Sequence, residues 1–186
     1  MRRLLGLTGP PGCGKSTYAA RLVAEEPAGR VAVPMDGFHL RPDELVRRGL
    51  RDRMGAPETF DTVGYAALLR RLRDADTAVW APGFDRSVEE PVPDAIVVRP
   101  EAALVVTEGN YLLLDRPDWR EVRDALDEVW YLDLPDDVRR QRLVARHVAF
   151  GKTPEAAREW VDRVDAANAE LVAATRDLAD RVVDLS

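Results

Sequence analysis

Three observations predict an α/β fold built on a mainly parallel sheet and flanked by helices. Short apolar runs alternate along the chain with segments of helical periodicity. Several of these runs are continuous, as expected of strands covered on both faces. The first run, LLGLT at 4–8, passes straight into the glycine-rich stretch GPPGCGKST at 9–17 and then into a helical pattern.

Taken in order, strands are expected at 4–8, 31–35 (VAVPM), 77–81 (TAVWA), 103–107 (ALVVT), 128–133 (EVWYLD) and 181–185 (RVVDL). The first helix follows the glycine loop to about Glu25. A second starts at Asp61, a suitable N-cap, and sets Tyr65, Leu68, Leu69 and Leu72 on one face. A third follows LPDD at 134–137. A longer one starts with Thr153 as N-cap and Pro154 at its first position. Its apolar stripe is Ala157, Trp160, Val161, Val164, Leu171 and Val172, with Asn168 on the same side. Residues 82–98 read as an excursion or hairpin outside the sheet.

The length of 186 residues suits one domain, 1–186, with a short helical lid around 139–155. A net charge of -6 argues against a broad basic face for nucleic acid. Cys13 is the only cysteine, so no intramolecular disulfide can form, and a cytoplasmic protein is expected. No stretch approaches the roughly 18 apolar residues of a membrane span. The apolar run after MRR is too short for a signal peptide and leads into the glycine loop. An apolar helix face leaves a homodimer open.

GPPGCGKS matches G-x-x-x-x-G-K-[ST] in the right context, between strand and helix. Gly9, Gly12 and Gly14 let the backbone curl so that N–H groups face a phosphate, and the helix N-terminus adds its positive end. Lys15 is placed to reach the β- and γ-phosphates, Ser16 to offer its hydroxyl to Mg²⁺, and Thr17 to support the α-phosphate side. Cys13 fills a permissive position. A nucleoside triphosphate with Mg²⁺ is therefore expected.

Two carboxylates fall at strand ends, where ligands bind in open α/β sheets. Asp36, in VPMDGFHL, could accept a proton from a hydroxyl attacking the γ-phosphate or help hold the metal; it could also be a turn aspartate before Gly37. Glu108, in VVTEGNY, would face the metal directly or through water. Phe38 and His39 follow Asp36 and could wall an acceptor pocket. Arg139, Arg142 and Arg146 share one helix face and could neutralise charge on a transferring phosphoryl group, or form a solvated face paired with Asp136, Asp137 or Glu155. Lysine occurs only at Lys15 and Lys152; arginine-biased codon usage explains this, or both sites need a compact ammonium. RRGLRDR at 47–53 reads either as a clamp for a phosphorylated acceptor or as a solvated helix face. A buried Asn168 needs a definite partner, either a structural one or the acceptor and lid.

The order GPPGCGKST, MDGFH, GAPETFD, APGFD, VVTEGNYLLL and RRQRLVARH resembles the phosphoribulokinase, uridine kinase and bacterial pantothenate kinase superfamily. The similarity runs along nearly the whole chain. It is greatest to the small bacterial branch of nucleoside/nucleotide kinase family proteins, some labelled fructose transport system kinases. The resemblance implies a P-loop kinase fold, ATP with Mg²⁺, and phosphorylation of a hydroxyl on a small metabolite. It makes Asp36 the catalytic aspartate, Glu108 the acidic end of the Walker B-like strand, and Arg142 and Arg146 the lid arginines, with Lys152 standing where another arginine is common. It also makes GAPETFD the segment beside the acceptor, and Thr175 and Arg176 candidates beside the adenine. Uridine kinases carry a tyrosine and then a histidine after the third strand, where this chain has Phe84 and DRSVEE.

The expectation is thus a kinase for a nucleoside-, sugar- or vitamin-like acceptor, its pocket lined by Phe38, His39, Arg53, Phe84, Asp85, Arg86, Glu108 and Asn168. The alternatives are a kinase of the nucleoside monophosphate type and a regulatory P-loop NTPase.

Overall fold

The computed structural model describes residues 1–186. Its elements run β1 (Arg3–Thr8), α1 (Lys15–Ala24), β2 (Arg30–Pro34), α2 (Pro42–Arg47), α3 (Thr62–Asp74), β3 (Val79–Asp85) and β4 (Glu90–Val98). They continue with β5 (Leu104–Glu108), α4 (Pro117–Asp124), β6 (Glu128–Asp133), α5 (Asp136–Ala149), α6 (Pro154–Trp160), α7 (Ala166–Ala173) and β7 (Arg181–Asp184).

Five strands form one parallel sheet in the order β2-β5-β1-β6-β7. The central strand β1 is buried from Leu4 to Thr8, which is why its sequence is apolar without alternation. One face of the sheet packs on α3 and α4 through Tyr65, Leu69, Leu72, Trp119 and Val122. The other packs on α1, where Leu5, Leu7, Ala19 and Val106 meet. Leu72 is fully buried, and a large-to-small change at such a site costs about 2–5 kcal/mol. The register sets Pro34 beside Glu108 and Leu7 beside the same residue, so the chain leaves β1, β2 and β5 at one edge of the sheet. That edge is where the glycine loop and both predicted carboxylates emerge.

The expected helix starts hold. Asp61 caps α3 by accepting from Gly64 N at 2.9 Å, and Thr153 caps α6 by accepting from Ala156 N at 3.2 Å. Three details differ. The run expected as a sheet strand at 77–81 instead enters β3, which pairs antiparallel with β4 in a separate two-stranded sheet. There Val79 and Ala81 are buried while Trp80 is exposed, the one-sided burial of a hairpin lying on a core. The long C-terminal helix is interrupted by a π turn at Val161–Asp165 before α7, which turns Leu171 out to solvent. Finally, α2 and α4 were not foreseen, because six and eight residues are too few to show a period. No helix is long and apolar enough to cross a membrane.

Candidate active site

The loop after β1 is held open by its glycines and anchored by its lysine. Gly9, Gly12 and Gly14 take φ of 147°, 82° and 99°. At Gly12 a side chain is excluded twice over, by the positive φ and by Arg139 O, 2.9 Å from where a Cβ would stand. Lys15 is buried, and its Nζ donates to Gly9 O at 2.7 Å and Pro10 O at 3.2 Å. The ammonium therefore lies across the mouth of the loop. Cys13 packs its thiol under the loop against Leu132 and Leu134, leaving only its backbone to face a phosphate. Thr17 is exposed at the second position after the lysine.

Ser16 Oγ donates to Glu108 Oε1 at 2.9 Å, joining the first turn of α1 to the end of β5. Burial pushes the Glu108 carboxyl above its ordinary range, and the nearby Asp36 charge adds to this, against the pull of Lys15 and Ser16. Asp36 sits in the tight turn after β2, Met35–Phe38. A hydroxyl and two carboxylates at three strand and helix ends match what Mg²⁺ takes from protein, with phosphates and water completing its shell. Ser16, Glu108 and Asp36 would hold it here.

Beside Asp36 lies the β3–β4 hairpin. At Gly37 an added Cβ would stand 2.5 Å from Pro82 O, so only glycine lets the turn come this close to β3. The approach brings the tip of the β3–β4 hairpin over the turn, and Arg86 Nη2 donates to Asp36 Oδ2 at 2.8 Å. The His39 ring packs between Phe60 (4.1 Å) and Phe84 (5.0 Å), its Nδ1 buried without a partner. Burial lowers its pKa, against the opposing charge of Asp36. The predicted segment GAPETFD does run alongside, through an antiparallel bridge between His39 and Phe60.

Other predicted lining residues are used elsewhere. Phe38 points into the core, stacked on Tyr65 at 4.4 Å. Asp85 spends Oδ1 on Ser87 N (2.8 Å) and Ser87 Oγ (2.6 Å), shaping the hairpin tip. Arg53 is paired with Glu58 at 2.6 Å, and Arg47 and Arg48 both bind Glu44, so three of the arginines in the 47–53 stretch are already held by carboxylates. Asn168 is only half-buried, and its side chain makes no hydrogen bond; the π turn displaces it from the fully buried face.

The arginines that share a face on α5 have separate fates. Arg139 is buried and structural: Nη1 donates to Pro11 O at 2.8 Å and Nη2 pairs with Asp136. Arg142 is exposed and forms no ion pair, and its Nη1 is 3.7 Å from the position of a Cβ on Gly14. Arg146 is likewise exposed and unpaired, one turn further on. Lys152 stacks its ammonium over Trp160 at 4.6 Å. Arg176 pairs with Asp133 at the end of β6 (3.0 Å), while the Thr175 hydroxyl is consumed by Val172 O at 2.7 Å. Sequence reasoning missed Tyr111, which donates to Gly55 O at 2.6 Å and ties the loop after Glu108 to GAPETFD. It also missed Asp165 of the π turn, bound to His147 Nε2 of α5 at 2.8 Å. The apolar run YLLL hid the first, and the charged face of the long helix hid the second.

No protein-family model matches the chain. The Escherichia coli protein YggC is 37% identical over 191 residues, covering 100% of this chain and 78% of that protein. A Schizosaccharomyces pombe protein named "putative uridine kinase" is 39% identical over 186 residues, covering 92% and 78%. Among solved structures, a "putative fructose transport system kinase" from a Silicibacter species superimposes with a TM-score of 0.90. Its identity is 39%, over 98% of this chain and 89% of that one.

Proposed function

This chain belongs to the phosphoribulokinase, uridine kinase and bacterial pantothenate kinase superfamily of P-loop kinases, and we propose that it moves the γ-phosphoryl group of ATP to a hydroxyl of a small metabolite in a Mg²⁺-dependent reaction. The observation that carries the reading is the Ser16–Glu108 hydrogen bond beside Lys15, with Asp36 facing the same space from the neighbouring strand. A switch NTPase needs the loop and the metal ligands. It does not need a second carboxylate beside a packed cluster of His39, Phe60 and Phe84.

In this reading the loop amides and Lys15 hold the β- and γ-phosphates, and Arg142 and Arg146 close over them as the lid at 139–155 folds in. Asp36 orients the acceptor O–H and takes its proton. The acceptor oxygen forms a bond to the γ-phosphorus while the bond to the β,γ-bridging oxygen breaks, its electron pair leaving on ADP. Mg²⁺, when bound by Ser16 and the carboxylates, neutralises charge on the phosphate oxygens. The His39–Phe84–Phe60 wall supplies an apolar side to the acceptor recess and excludes water.

The test is ADP release measured with and without each of a panel of nucleosides, sugars, vitamins and nucleotides. Acceptor-dependent release that Asp36→Asn abolishes supports the reading. Slow hydrolysis indifferent to every acceptor and coupled to a protein partner would instead make the chain a regulatory NTPase.

A further inference from the structure

The acceptor side holds a guanidinium whose one partner is the group assigned as the base. Arg86 Nη2 donates to Asp36 Oδ2 at 2.8 Å, a single contact that leaves the other N–H groups of the fork without protein acceptors. The arginine side chain is about half exposed, so the pair adds little to folding and can exchange partners at small cost. Its backbone is fixed all the same. Asp85 braces Ser87 on one side, and Glu89 takes a φ of 56° on the other, a left-handed conformation uncommon without glycine. In the arginine-rich stretch at 47–53, Arg53 pairs with Glu58 and Arg47 and Arg48 share Glu44, while Arg51 is exposed without an ion pair.

Resting on the kinase reading above, we infer that the acceptor carries an anionic group, a carboxylate or a phosphate, and that Arg86 is the specificity-determining residue that reads it. The anion takes the guanidinium fork in two parallel hydrogen bonds, which a single contact to Asp36 cannot match. Asp36 is then released to face the hydroxyl. A neutral sugar or nucleoside leaves Arg86 on Asp36, and so does water arriving with ATP alone, so the base stays masked until the right acceptor enters. The transfer itself is unchanged: the proton goes to Asp36 and the electron pair to ADP.

Two arms test this in the wild type, Arg86→Ala and Arg86→Lys. In the first, inorganic phosphate and acetate are titrated calorimetrically into protein saturated with Mg²⁺ and a non-hydrolysable ATP analogue, which fills the phosphate loop. At least one anion should bind saturably, at least about tenfold more weakly in Arg86→Ala, with partial recovery in Arg86→Lys. Which anion binds distinguishes a carboxylate from a phosphate on the acceptor. In the second, turnover is compared across matched skeletons: glycerol, glycerate and glycerol 3-phosphate; ribose, ribonate and ribose 5-phosphate; uridine and its 5′-monophosphate. The anionic members should lead by about tenfold or more in kcat/KM, and Arg86→Ala should erase that lead chiefly through KM. The inference is overturned if neither anion binds, if both bind the alanine variant as well, or if a neutral member is used at least as efficiently as its charged counterpart. Anion binding that depends on Arg86 without transfer to any acceptor would support the assignment of Arg86 and count against the kinase reading instead.

Discussion

Ser16 and Glu108, 92 positions apart, share a 2.9 Å hydrogen bond between the first turn of α1 and the last residue of β5. The contact holds a buried carboxylate where the proposed Mg²⁺ would bind, and that placement has a cost. Burial raises the Glu108 pKa above its ordinary 4.5. A carboxyl whose folded pKa is raised binds more protons in the folded than in the unfolded state, so ionising it destabilises the metal-free protein.

The melting temperature of the metal-free protein should therefore fall as pH rises from the ordinary carboxylate range through the raised value. Glu108→Gln, which keeps the acceptor for Ser16, should lack that slope and melt higher near neutral pH. Adding Mg²⁺ with ATP should reverse the order, raising the wild-type melting temperature and moving the variant much less. Differential scanning fluorimetry across pH, with and without Mg²⁺ and ATP, reads both. Parallel pH profiles for the two proteins would remove the metal assignment from Glu108.

Asp36→Asn keeps the size of the side chain and removes its basic site. Single-turnover transfer should fall by on the order of 10²–10⁴, while ATP affinity, measured by direct titration, changes little because the loop holds the nucleotide. A loss below about tenfold would make Asp36 a turn residue only. Collapse of ATP binding as well would make the metal its main task.

Lys15→Ala removes an ammonium that bridges Gly9 O and Pro10 O at the loop mouth. Turnover should drop by on the order of 10²–10³ or more, with the circular dichroism spectrum unchanged. Wild-type transfer rates in this variant would mean that the phosphate is bound elsewhere.

Arg139 and Arg142 are one helical turn apart and should behave oppositely. Arg139→Ala removes a charged donor buried against Pro11 O. It should cost about 1.5–3 kcal/mol, a fall of roughly 3–12 °C in Tm. Arg142→Ala, at an exposed unpaired position, should leave stability within about 0.5 kcal/mol and lower kcat by on the order of 10². It should lower kcat more than it weakens ATP binding; equal losses would indicate ground-state contacts alone. Thermal melts and steady-state kinetics on the two variants separate the roles.

The sequence by itself determined the five strands of the parallel sheet, the phosphate loop and the strand-end carboxylates, and wrongly added the run at 77–81 to that sheet. These depend on local rules: continuous apolar runs mark buried strands, a fixed glycine–lysine spacing marks the loop, and parallel strands deliver their last residues to one edge. Tertiary structure alone decided which charges are free to work. Arg139, Arg142 and Arg146 lie on one face by spacing, yet packing of α5 on the loop buries the first and leaves the other two open. Arg86 meets Asp36 across 50 positions only because Gly37 lets a hairpin close on a turn. Phe38 stacks on Tyr65 in the core and His39 packs against Phe60 and Phe84, although they are neighbours in sequence. Side-chain direction in loops and pairing between distant segments follow from backbone approach at particular points, and no local periodicity records where those approaches occur.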